Sequence, residues 1–114
     1  MATEKTSTPS MDSNSVTIRD SIIITDPEIA RVLLHEDKKK IVSLLIKNRE
    51  MTIQQLSIDT QINPGTIKRY IDDLQLHNIV FLSKTTRSEY NIKMKYYCAI
   101  AKKFLINIHI SGEN

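Results

Sequence analysis

In the stretch 64–76 the apolar residues Ile67, Ile71 and Leu74 recur at i, i+4 and i+7, whereas Tyr90, Ile92, Met94 and Tyr96 recur at every second position. The first spacing places side chains on one face of a helix and the second on one face of a strand. The same reading along the chain predicts four helices. Asp26 caps the first, with Pro27 at the opening position, where a missing N–H is harmless, and Glu28 at the positive end of the dipole; it runs to about His35. Glu36 and Asp37 open the second, which carries Ile41, Val42, Leu44, Leu45 and Ile46 into the core and stops near Lys47 and Asn48. Thr52 begins the third, with Gln55 placed to complete a capping box and Ile53, Leu56 and Ser57 turned inward. Pro64 disfavours a helical conformation in the residue before it, so the chain breaks at 61–63, and Asn63 caps a fourth helix.

Strands are predicted on either side of this helical region. Residues 21–25, Ser-Ile-Ile-Ile-Thr, suit a short strand whose partner is not visible locally. Ile79 to Leu82 predicts a second strand, Ser83 to Glu89 a polar connection, and Tyr90 to Tyr96 the returning strand of a hairpin. Residues 99–103 fit either a helical turn or an extended bridge, and Phe104, Ile106, Ile108 and Ile110 alternate as a final strand. Residues 1–15 hold seven Ser or Thr and no large aliphatic side chain except methionine, which predicts a disordered tail before a single domain at 16–114.

Two helices that start at Thr52 and Asn63 have the proportions of a helix-turn-helix, in which the second helix lies in a DNA major groove while the first crosses the backbone. Leu56, Ile62, Ile67 and Ile71 supply the apolar seam this requires. The exposed start of the second helix offers Asn63, Gly65, Thr66, Lys68, Arg69 and Tyr70. Asn63, Thr66 and the free N–H groups suit phosphate oxygens, as does the Thr52 hydroxyl. Lys68 and Arg69 can reach base edges, arginine's planar fork matching guanine O6 and N7, and Gly65 permits close backbone approach. Lys84 and Arg87 belong to the predicted hairpin, whose tip can reach a minor groove or its flanking phosphates. The predicted fold is mainly α with a β-hairpin wing (α+β), a winged helix-turn-helix of about four helices plus two to four short strands.

Charge supports that placement. The 114 residues carry a modest net +3, but from Asn63 to Lys103 eight basic residues face three acidic ones, while residues 26–62 balance six against six. No apolar stretch approaches the roughly 18 residues a membrane span needs, and no apolar segment follows Met1 as in a secretory signal, so a cytoplasmic protein is expected. A single cysteine, Cys98, excludes an intramolecular disulfide and a Cys-rich zinc site. Flanked by Tyr97, Ala99 and Ile100, it suits a small buried apolar position better than a redox switch.

The chain resembles the winged helix-turn-helix transcriptional regulators of the ArsR type. The resemblance rests on ITDPEIARVLL at 24–34, TIQQLSIDTQINPGTIKRYIDDLQLHNIV at 52–80 and KYYCAIAKKFLI at 95–106, and it covers about residues 22–110. It implies a homodimer on a palindromic or pseudo-palindromic operator, with the 84–93 hairpin as wing and the helix at Asn63 in the groove. Metal-sensing members of that family carry paired cysteines in the helix corresponding to 52–60; this sequence has none there, and His35, His77 and His109 are scattered, so no metal and no cofactor is expected. The apolar ends, Ile22 to Ile24 and Phe104 to Ile110, would be a liability as unpaired strands. With the helix at Pro27 they are the expected dimer interface, which makes both ends of the domain dimerisation elements.

Two other classes compete with this reading. A winged helix can serve as a protein–protein interaction module without DNA binding, and Asp72 and Asp73, a turn beyond Arg69, favour that alternative mildly. Catalysis fits worst: there is no Gly-rich phosphate loop, no ligand cluster, and only two glycines. A repressor is expected before an activator, because occupying a promoter needs no added activation surface. The sequence names no small-molecule effector.

Overall fold

The computed structural model describes residues 17–112; the tail expected at 1–15 lies outside the described residues. The elements run β1 (Ile22–Ile24), α1 (Pro27–Leu34), α2 (Glu36–Asn48), α3 (Ile53–Thr60), α4 (Pro64–Leu76), β2 (Val80–Arg87), β3 (Lys93–Ala99) and β4 (Phe104–Ile106). Three helices begin where their predicted capping residues place them, and α2 begins at Glu36 as expected, with His35 as its cap. Asp26 Oδ1 accepts the Glu28 N–H at 2.9 Å, and Asn63 Oδ1 accepts the Gly65 N–H at 2.7 Å. At α3 the capping box is complete: Thr52 Oγ1 accepts from Gln55 N at 3.1 Å while Gln55 Oε1 accepts from Thr52 N at 2.9 Å.

The core forms where these helices meet. Ile41 and Leu45 of α2, Leu56 of α3, and Ile67, Ile71 and Leu74 of α4 are fully buried together with Ile79. Removing one of them, as in Leu56→Ala, takes away both its burial and the packing around it, a loss of about 2–5 kcal/mol. The turn between α3 and α4 is held by side chains as well as by backbone. Gln61 adopts the left-handed conformation (φ 61°), Ser57 Oγ donates to Ile62 O at 2.6 Å, and Thr60 Oγ1 accepts from Ile62 N at 3.2 Å.

The β structure departs from the sequence expectation in four ways. First, the polar stretch 83–87 is strand: β2 runs antiparallel to β3 as far as Arg87 opposite Lys93, with a register shift between Leu82 and Lys84. The extra residue at Ser83 bends the strand, and its hydroxyl donates to Glu50 Oε1 at 2.9 Å. Second, the turn is therefore Ser88 to Ile92, and Tyr90 and Ile92 sit exposed in it instead of facing inward on a strand. Third, the end of β3 is covered on both faces, so that Tyr97, Cys98 and Ala99 are buried in succession and Tyr97, not Tyr96, is the core ring. Fourth, the last strand stops at Ile106. It pairs in parallel with β1, Ile22 opposite Phe104 and Ile24 opposite Ile106, so the two terminal strands that looked unpaired are partners. A short bridge between Met51 and Tyr97, with N···O distances of 3.1 and 2.9 Å in the two directions, attaches the start of the helix-turn-helix to the wing.

Candidate nucleic-acid interface

Burial of Ile67, Ile71 and Leu74 fixes which side of α4 remains free. Gly65, Lys68, Arg69 and Asp72 are exposed, and Asn63 stands exposed at the helix start. A trough of about 520 Å³ separates α4 from the wing, bounded by Thr52, Ile53 and Gln54 at the start of α3, by Lys68, and by Tyr90, Ile92, Lys93 and Lys95 of the hairpin. The helix end, the recognition-helix lysine and the hairpin thus share one face. Beneath the trough, burial pushes the Tyr97 hydroxyl's pKa up, keeping it neutral.

Within the expected set the structure separates the residues. Asn63, Gly65, Lys68 and Arg69 are presented to solvent, and Thr66 is half-buried. Lys68 Nζ reaches both carboxylate oxygens of Asp72 at 2.9 Å, a hydrogen bond that keeps the ammonium protonated. A lysine placed before the acid at i,i+4 is the weaker orientation of such a pair, so a phosphate can displace it. A Cβ at Gly65 would lie 3.1 Å from Asn63 Oδ1, tight enough to disturb the cap.

Three expected residues are placed for other work. The Thr52 side chain is committed to the α3 cap and the residue is only 6% exposed, so this position offers a helix end and not a free hydroxyl. Tyr70 packs against the core with its ring 5.2 Å from that of His35, on the side of α4 facing away from the trough. Lys84 lies below the hairpin tip, 3.1 Å from Glu50 and 4.9 Å above the Tyr96 ring. Burial opposes ionisation of Glu50, but hydrogen bonds from Lys84 and Ser83 outweigh it and hold the carboxyl below its ordinary value. Arg87, near the tip, donates from Nη1 to Asn91 O at 3.1 Å.

Asp73 does not burden the exposed face. It pairs with Lys38 of α2 and lies 3.5 Å from His77, on the opposite flank of α4. Gln54, Lys93 and Lys95, which line the trough, were not among the expected contacts. The signal for them was the hairpin register, which places Lys93 and Lys95 on strand β3 beside the trough once the turn is set at Ser88 to Ile92.

Four helices with an antiparallel hairpin, two of the helices joined by a tight turn, define a winged helix-turn-helix. Residues 37–80 match the family described as winged helix-turn-helix DNA-binding. Among solved structures the chain is similar to the transcriptional regulator HlyU from Vibrio vulnificus CMCP6, at 17% identity and a TM-score of 0.50, over 62% of this chain and 67% of that one. It is also similar to the transcriptional repressor BigR from Xylella fastidiosa, at 23% identity and a TM-score of 0.51, over 64% of this chain and 65% of that one. The likeness therefore spans about two thirds of each of those chains. No curated protein matches by sequence. The winged helix-turn-helix fold expected from sequence is thus observed.

Proposed function

We propose that this protein is a sequence-specific double-stranded DNA-binding transcriptional regulator, acting as a homodimeric repressor in the cytoplasm. The observation that carries the reading is the shared face: α4 presents Lys68 across a trough from Lys93 and Lys95 of the wing, and Arg69 stands exposed next to Lys68 on the same helix. With α4 in the major groove, the sugar-phosphate strand that separates it from the neighbouring minor groove occupies the trough, and the lysines at its rim neutralise that strand. Asn63 and Gly65 bring the α4 N-terminus to phosphate, and Arg69 projects toward base edges. None of the described helices is long and apolar enough to cross a membrane.

Dimerisation is supported by the terminal sheet. A two-stranded parallel sheet is rarely stable uncovered, yet Ile23 is 62% exposed and Leu105, Ile108 and Ile110 also face solvent. Beside them a groove of about 800 Å³ runs between α1 and the segment after β4, lined by Ala30, Leu34, Ile106 and Ile108. A second copy covering this surface gives the two recognition helices the two-fold relation that an inverted repeat requires. In this reading the dimerisation elements stand at both ends of the 16–114 domain.

The test is selection from a random double-stranded DNA pool with purified protein, beside the Lys68→Ala/Arg69→Ala variant. An inverted repeat enriched by the wild type and lost in the variant is expected. Absence of any enriched duplex contradicts DNA reading and turns the account to an interaction module.

A further inference from the structure

The wing tip combines features that an idle surface turn does not need. Its backbone is fixed from within: Ser88 Oγ accepts the N–H groups of Tyr90 and Ile92, both at 3.2 Å, and Asn91 N donates to Ser88 O at 2.8 Å. Ser88 N donates to Ile92 O at 2.9 Å, Asn91 holds the left-handed conformation (φ 62°), and the Arg87 guanidinium braces the Asn91 carbonyl. What this rigid turn displays is apolar. Tyr90 is 77% exposed and Ile92 61% exposed, and both border the trough opposite Lys68.

We propose that Tyr90 and Ile92 form a wedge that enters the minor groove next to the site of α4 and unstacks one base step. The inference rests on the DNA-binding reading above and adds to it a way of sensing sequence without hydrogen bonds to base edges. An aliphatic side chain driven between base pairs partly unstacks them and kinks the duplex toward the major groove, the side on which α4 lies. The Tyr90 ring then stacks on the uncovered base. Charge complementarity selects nucleic acid as the occupant: Arg87, Lys93 and Lys95 flank the wedge and meet phosphates on either side, while Glu89 is the one acid of the turn. Preorganisation matters because a turn already ordered by Ser88 loses little freedom on insertion. Steps that unstack easily, pyrimidine followed by purine, are then favoured at a position α4 does not touch.

The probe is the duplex enriched by the wild-type protein, carrying 2-aminopurine in turn at each step of the minor groove beside the α4 site. Binding is expected to raise the fluorescence at one step several-fold. The Tyr90→Ala/Ile92→Ala variant is expected to abolish that rise and to weaken binding by between about fivefold and about a hundredfold, with unchanged thermal stability, while Tyr90→Phe/Ile92→Leu retains both. A duplex bound with no rise at any step, or a rise that persists in the alanine variant, overturns the wedge and leaves the DNA reading intact. Failure to bind any duplex removes the DNA reading itself, and the wedge with it.

Discussion

Lys68 and Arg69 are neighbours on α4, yet their surroundings give them different tasks. Lys68 is held by Asp72, whereas Arg69 leans over the edge of Tyr70 with its guanidinium carbon 5.9 Å from the ring centre. We therefore expect Lys68→Ala to weaken binding to all duplexes alike. Arg69→Ala is expected to relax the preference at one operator position, by about 1–3 kcal/mol if its contact to guanine is bidentate. Binding measured against single-base operator variants separates the two. On the other flank, the hydrogen bond from Lys38 holds the Asp73 carboxyl below its ordinary value, with burial opposing. A carboxyl whose pKa is lower folded than unfolded contributes stability above its unfolded value, about 3.9, and loses it as pH falls through the folded one. Asp73→Asn should accordingly flatten the loss of stability below about pH 4, and a denaturant titration at several pH values checks this. At Gln61 the left-handed backbone is strained for a side chain, so Gln61→Gly should raise stability by roughly 0.5–1 kcal/mol in the same assay.

The wing is the element whose position depends most on long-range contacts. Glu50 accepts from Ser83 and pairs with Lys84, and Cys98 Sγ donates to Arg49 O at 2.8 Å, so the segment after α2 clamps the hairpin base. Burial pushes the Cys98 thiol's pKa up, away from reactivity, which fits this structural use. At the far end the Ser88 hydroxyl accepts two backbone N–H groups, so Ser88→Ala is expected to speed hydrogen exchange at Tyr90 and Ile92 while exchange at Ile71 and Leu74 stays slow. The helices were legible from sequence because their signals are local: Asp26-Pro27, Thr52 with Gln55, and Asn63-Pro64 mark starts that the structure keeps. The strands were less so. The bulge at Ser83 is invisible to a period-two count, and the pairing of Ile22–Ile24 with Phe104–Ile106 joins segments about eighty residues apart. The candidate interface divided along the same line, since the α4 residues followed from the helix-turn-helix whereas Lys84, Lys93 and Lys95 depended on the register.

At the scale of the whole molecule, the wing and α4 form a basic face, and the terminal sheet with α1 forms an apolar one. If the apolar face joins two copies, placing charges on it should separate them without disturbing the core. Ile108→Glu/Ile110→Glu, both exposed and beyond the last strand, is expected to turn a dimer into a monomer in sedimentation and to weaken binding to an inverted repeat far more than to a single half-site. A dimer that persists places the interface elsewhere. The claim on which the rest depends is that the face carrying Lys68 and Arg69 holds DNA, and its most direct measurement is a salt titration of binding to the enriched duplex by wild type and by Lys68→Ala/Arg69→Ala. The account predicts steep salt dependence for the wild type and a slope shallower by roughly one or two ion equivalents in the variant. Equal slopes and equal affinities would contradict it.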